Sequence, residues 1–239
     1  MLAVVTRPTV TTAACALKND RWLVETGYTN TVTTGRGGGV TAAYPQALIR
    51  VGSFARNVEL DVTLPAALRS SSGGSMVSGS SDTSFGAKWE MGYTRRAVYG
   101  ANIVVTEPTG DRSFTAGSEI YSGNLNGSYA LSPEFGLAST ISFETIGALD
   151  ARGVAIRSGA VVPSLTLTAA LPLNAQLFAE AAYFSQSAPG LGPRTLYDVG
   201  YQKGLSAHVQ LDVEAGFAPT PVNGLRQRYV GFGLSIGHL

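Results

Sequence analysis

From Arg21 to the C-terminus the chain alternates apolar and polar side chains with a period of two, and one of the two faces this creates carries no charge. Period two belongs to extended strands, whose successive side chains point to opposite faces. Helical periodicity is absent from the same stretch. The spacing predicts strands over 21–32, 44–52, 57–64, 83–92, 95–106, 119–131, 135–145, 157–171, 175–186, 195–203, 206–217 and 227–238. Gly, Ser, Pro and Asn clusters separate them, as turn chemistry requires.

The connections alternate strictly in length. Short ones fall at 53–56, 93–94, 132–134, 172–174 and 204–205, and long ones at 33–43, 65–82, 107–118, 146–156, 187–194 and 218–226. A transmembrane antiparallel up-and-down β-barrel has this rotation of short periplasmic turns and long extracellular loops, with an even strand count. The fold expected is therefore an all-β transmembrane barrel of about twelve strands over 21–239, in a bacterial outer membrane. A soluble β-sandwich also segregates its faces, so parity alone does not choose between them. The aromatic spacing does help: Phe135 and Phe143 bracket Leu137 and Ile141 on one face. They lie ~26 Å apart along the strand at ~3.3 Å per residue, close to the separation of the two aromatic girdles of a membrane barrel once tilt is allowed for.

Composition agrees. Charged residues make up 14% and glycines number 29, against roughly 25% charged in soluble domains. No stretch reaches the ~18 apolar residues of a membrane helix. The net charge of +1 with dispersed arginines excludes nucleic acid as a partner. Cys15 is the lone cysteine, so there is no disulfide framework, and no metal-ligand or cofactor spacing occurs. Residues 1–20 are expected as an N-terminal periplasmic segment. Arg7 and Pro8 interrupt what a signal peptide would need as its apolar region, so the signal is read as absent or trimmed. The chain ends on His238-Leu239 where outer-membrane barrels usually end on an aromatic, a departure for the barrel-assembly machinery expected to insert it.

The parity opposite the uncharged one would line the lumen. It holds nine carboxylates, Glu25, Glu59, Asp61, Glu90, Glu144, Glu180, Asp198, Asp212 and Glu214, against two bases, Arg50 and Lys88. Opposite charges so placed either brace the wall or form a solute pathway, and an acidic interior favours cationic solutes when the pore is open. Phe178 and Phe184 share the inward parity and would form an apolar lumen patch or fill space beside the wall. Arg36, Arg69, Arg112, Arg152, Arg157, Arg194, Arg226 and Arg228 fall in or beside the long loops, a rim suited to lipopolysaccharide phosphates.

Several fragments carry a family resemblance: Tyr44-Pro45-Gln46-Ala47-Leu48-Ile49-Arg50-Val51-Gly52, Arg56-Asn57-Val58-Glu59-Leu60, Ser81-Asp82-Thr83-Ser84-Phe85-Gly86-Ala87-Lys88-Trp89, Thr106-Glu107-Pro108-Thr109-Gly110, Asp198-Val199-Gly200-Tyr201 and Gly233-Leu234-Ser235. In that order they resemble the outer-membrane transporter family named for the meta-pathway of phenol degradation. The resemblance implies a barrel linked to uptake of aromatic or other hydrophobic compounds, and it supplies no catalytic residues.

A channel passing a small solute through a polar, net acidic lumen is the function expected, with membrane lipid and lipopolysaccharide as neighbours. Two alternatives stand beside it: a lipase-type barrel enzyme, and a structural or lipid-binding barrel without transport. Only His208 and His238 could serve as imidazole bases. His208 shares the inward parity with Asp212, whereas a lipase needs histidine beside a serine on the lipid side.

Overall fold

The computed structural model describes residues 7–35, 37–222 and 224–238. Its strands are β1 (Trp22–Thr34), β2 (Gly39–Tyr44), β3 (Leu48–Gly52), β4 (Val58–Thr63), β5 (Ala67–Ser72), β6 (Ser75–Ser80), β7 (Thr83–Tyr93), β8 (Ala97–Glu107), β9 (Ile120–Ala130), β10 (Phe135–Leu149), β11 (Ala155–Leu171), β12 (Ala175–Phe184), β13 (Arg194–Gly204), β14 (Val209–Val222) and β15 (Leu225–His238). All pairings are antiparallel, in the order β15-β14-β13-β12-β11-β10-β9-β8-β7-β4-β3-β1-β2-β5-β6, and β1 also pairs with β15 from Trp22 opposite His238 to Thr34 opposite Arg226. That pairing closes the sheet and removes its lateral edge.

The fifteen strands make a twelve-stranded wall because three pairs are single strands with a break. Leu48 faces Thr63 and Tyr44 faces Ala67, one continuous register running from β3–β4 into β2–β5. Thr63 faces Ser84 and Ala67 faces Ser80, so β4–β7 likewise runs into β5–β6. The breaks fall side by side at 45–47, 64–66 and 81–82. Against β1, Glu25 faces Leu48 and Thr29 faces Ala43, four steps opposed by five, which is a bulge. Pro45 and Pro65 sit in these breaks, where the missing N–H costs no ladder hydrogen bond.

Long-loop lengths are therefore corrected. The long connection read at 65–82 holds the hairpin β5–β6. Ser72 opposes Ser75 across Gly73 and Gly74, whose φ values of 57° and 83° suit a two-residue primed turn. The loops read at 33–43, 146–156 and 218–226 shrink in the same way, because strands on both sides continue toward their tips. Pro108 follows the end of β8, and the loop after it docks on the β6–β7 break. There the Asp82 carboxylate accepts the N–H groups of Gly110 and Ala116, each at 2.8 Å.

The outer face is apolar and open: Leu60, Ile103, Phe143, Phe217 and Phe232 are all more than half exposed. Tyr121 and Tyr129 on β9, like Phe135 and Phe143 on β10, occupy the two ends of that band. What is buried is the inside. Glu25, Arg50 and Glu59 are wholly buried, and Lys88, Asp198 and Asp212 nearly so. A polar core within an apolar shell inverts a soluble protein and matches a barrel set in lipid.

Candidate functional site

The candidate site is the lumen, and the chain's own N-terminal segment crosses it. Residues 7–18, expected on the periplasmic side, run inside the wall and touch the strands in order around it. The Leu17 N–H donates to Glu59 Oε2 of β4 at 2.6 Å and the Ala16 N–H to Glu90 Oε2 of β7 at 3.3 Å. The Ala14 carbonyl passes over Gly100 of β8, where a Cβ would lie 2.7 Å from it. Thr12 N–H donates to Thr140 Oγ1 of β10 at 2.9 Å, and Thr11 Oγ1 to Ser164 Oγ of β11 at 2.9 Å. Both oxygens of Glu180 on β12 are used, accepting the N–H groups of Val10 and Thr11 at 2.7 Å each. The Gln202 side chain of β13 donates to the Arg7 carbonyl at 2.9 Å. The Arg7 guanidinium lies 4.0 Å from Asp212 of β14, and Arg7 N–H donates to Glu25 Oε2 of β1 at 2.8 Å.

This segment has no strand or helix to satisfy its backbone, so side chains of the wall do so. Four of the predicted lumen carboxylates, Glu25, Glu59, Glu90 and Glu180, hold its N–H groups, and charge-assisted bonds of this kind are the strong ones. Thr11, Ala14, Ala16 and the larger Leu17 are buried against the wall.

Arg50 joins the two ends of the crossing. Its Nη1 donates to Glu25 Oε1 at 2.8 Å and its Nη2 to Glu59 Oε1 at 2.7 Å, while Nε lies 3.8 Å from Asp61. Lys88 Nζ meets Glu59 Oε1 at 2.9 Å. Directly opposite Arg50 in the ladder is Asp61, so the Glu59 contact is diagonal. Each glutamate thus takes the cation on Oε1 and the segment on Oε2.

The remaining predicted residues divide. Asp198 and Glu214 lie on the inward face around Tyr229, with Asp198 and Tyr229 both opposite Gly216. Glu144 stands half-buried near the extracellular end, opposite Ser122. Phe178 and Phe184 both point inward yet do not meet. Phe178 lies over Gly200, where a Cβ would strike its ring. Phe184 packs with Val10 and Tyr229 on the cluster of Ala182, Leu196 and Ala218. Phe178 also lines a cavity of about 570 Å³ between the segment and the periplasmic turns, walled by Thr11, Ala138, Thr168 and Gln202 among others. A shallower depression, over Leu167, Leu177, Val199 and Val213, includes the outer apolar wall and so faces lipid.

Of the predicted rim arginines, Arg69, Arg112, Arg152, Arg157, Arg226 and Arg228 are exposed at the extracellular end. Arg157 donates to the Glu119 carbonyl at 3.2 Å. Arg194 turns inward instead, 4.6 Å over the Phe184 ring and hydrogen-bonded to Gln227. Arg36 lies outside the described residues. His208 and His238 stack at 5.8 Å at the periplasmic end, with His208 Nδ1 on the Gly237 carbonyl and His238 Nε2 on Arg21.

The sequence reading missed the luminal role of residues 7–18. The signal was the imbalance of nine inward carboxylates against two bases, which demands donors from elsewhere.

A closed twelve-stranded antiparallel barrel with an apolar belt and a polar, self-occupied lumen defines an outer-membrane β-barrel, and it places the chain in the bacterial outer membrane. The solved structures agree on the fold. An outer-membrane channel from Pseudomonas putida F1 is 13% identical, covers 94% of this chain and 98% of its own, and superposes with a TM-score of 0.71. The NanC porin is 8% identical over 88% of this chain and 98% of its own, with a TM-score of 0.58. The KdgM porin in complex with disordered oligogalacturonate is 11% identical over 87% and 97%, at 0.52. No protein-family model matches the chain, the one anticipated from its fragments included, and no curated protein matches it.

Proposed function

We propose that the protein is an outer-membrane channel for a small solute, with residues 7–18 as a removable obstruction in its lumen. One observation carries this reading: the segment crosses the lumen on side-chain hydrogen bonds and a single long ion pair, without joining the β-ladder. Such a contact set can be released without breaking a strand. The acidic residues of the lumen then serve first as a mount for the segment. A twelve-stranded barrel has a modest bore, which favours a solute-specific channel over a general porin. The aromatic and hydrophobic solutes implied by the sequence fragments are the first to try. At the rim, the outward arginines Arg157, Arg226 and Arg228 would pair with lipopolysaccharide phosphates, and the barrel-assembly machinery would insert the chain.

Liposome swelling with aromatic acids, amines, amides and sugars tests this. We expect uptake of at least one small class by the full chain, and faster uptake after deletion of residues 2–17. Liposomes that exclude every solute with both forms, although both are folded by heat-modifiable gel mobility, would point to a structural barrel instead.

A further inference from the structure

We propose that the chamber on the periplasmic side of the luminal segment is a binding site for a small organic anion. None of the nine inward carboxylates lines it. Among the described residues its only charged lining groups are Arg95 and Arg96, in the turn joining β7 to β8. Neither forms an ion pair among those residues, since the five salt bridges there belong to Arg7, Arg50 and Lys88. The charged groups of the chamber's own lining are therefore both basic, and the nearby Glu180 carboxylate stands behind Thr11 and Thr166, which it holds at 2.7 and 2.8 Å.

Its volume has a plain origin. The inward positions at the base of β9 and β10 are Ala130, Gly136 and Ala138, too small to fill the space that Phe178 borders on the far side. Hydroxyls of Thr166 and Thr168 and the amides of Gln176 and Gln202 supply neutral hydrogen-bonding partners. Gln176 already donates to Gln202 at 3.3 Å, and Thr168 to the Gly136 carbonyl at 3.3 Å, so these groups are held in place. A flat, compact body fits against Phe178, and a carboxylate at its end would meet the two guanidiniums at the mouth. Small apolar and neutral polar walls with a few convergent charges are the usual make-up of a small-molecule site. Thr9, Thr11 and Ala13 of the segment form part of the lining, so a bound anion touches the obstruction itself. The use of the site in transport rests on the channel reading; binding does not.

The test uses three isosteres that differ in charge, benzoate, benzamide and benzamidine, titrated calorimetrically into the full chain in detergent. Benzoate is expected to bind about fivefold or more tightly than benzamidine, the size of effect that exposed charge pairs give. The double change Arg95→Gln, Arg96→Gln should remove that preference and leave benzamide unchanged. Ala138→Phe fills the chamber and should abolish binding of all three, whereas Ala138→Ser should not. A phospholipid headgroup can pair with the same arginines from outside the barrel, but such binding would survive Ala138→Phe. Equal binding of the three isosteres, a preference for benzamidine, or binding indifferent to Ala138→Phe overturns the proposal. Heat-modifiable mobility confirms that each variant is folded. Solute uptake measured on the same preparations separates the two readings: uptake without chamber binding sinks only this one, and chamber binding without uptake sinks only the channel.

Discussion

Arg50 Nη2 and Glu59 Oε1 meet at 2.7 Å with neither side chain exposed, and the second oxygen of Glu59 holds the backbone of Leu17 at 2.6 Å. The same guanidinium reaches Glu25, whose second oxygen holds Arg7. One buried cation thus fixes both carboxylates that clamp the ends of the luminal segment. Removing one partner of a buried charge pair leaves the other uncompensated, at about 3–5 kcal/mol. Arg50→Ala should therefore destabilise the barrel by about that amount in urea titrations read by gel mobility. It should also expose residues 7–18 to protease, whereas Arg50→Lys should lose less.

Glu180 offers a second handle on the segment, because its two oxygens take the Val10 and Thr11 N–H groups, with Thr166 and the facing Asp198 as its neighbours in the wall. Glu180→Gln keeps the shape but replaces one acceptor by a donor facing a donor. Charge-assisted bonds are worth about 1.5–3 kcal/mol each, so segment protection in hydrogen exchange should fall by about tenfold or more. The amides of β12 and β13 should keep theirs.

Gly200 is required by a neighbour's ring. Its inward face is covered by Phe178, and a Cβ there would collide with it. Gly200→Val should cost about 1–3 kcal/mol by overpacking, and Gly200→Val with Phe178→Ala should recover part of it. Thermal midpoints of the three variants, read in one detergent, check this.

Ile103 is 65% exposed on the outer face at the middle of β8. Ile103→Arg should cost about 2–4 kcal/mol in lipid, while Arg228→Ile at the rim should be nearly neutral. Folding yields into liposomes distinguish the two. Equal yields would mean that this face does not meet the bilayer.

The wall was legible in the sequence because lipid enforces a strict period of two on residues such as Phe85, Trp89 and Ile103. The tips were not. At 67–80 the serines and glycines of a segment read as a connection pair as β5–β6, since a hairpin above the membrane needs no apolar face and its register is set by Gly73-Gly74. The bulge at 45–47 flips the facing parity against β1, and the break beside it at 64–66 hides the continuation of the next strand. Residues 7–18 were unreadable for another reason. A chain pinned by side-chain acceptors has no periodicity of its own, and its pattern is written in the wall as Glu25, Glu59, Glu90 and Glu180. Phe178 and Phe184 lie apart along β12, one beside the chamber and the other against Val10 and Tyr229, and parity alone does not give these separate surroundings.

Single-channel conductance of a lockable segment tests the central claim most directly. Thr11 Oγ1 and Ser164 Oγ lie 2.9 Å apart, close enough for a disulfide between cysteines at these positions in a Cys15→Ser background. The account predicts low conductance while the bond is intact and a rise after reduction, approaching that of the chain lacking residues 2–17. Conductance that is the same in the oxidised, reduced and truncated proteins would contradict it.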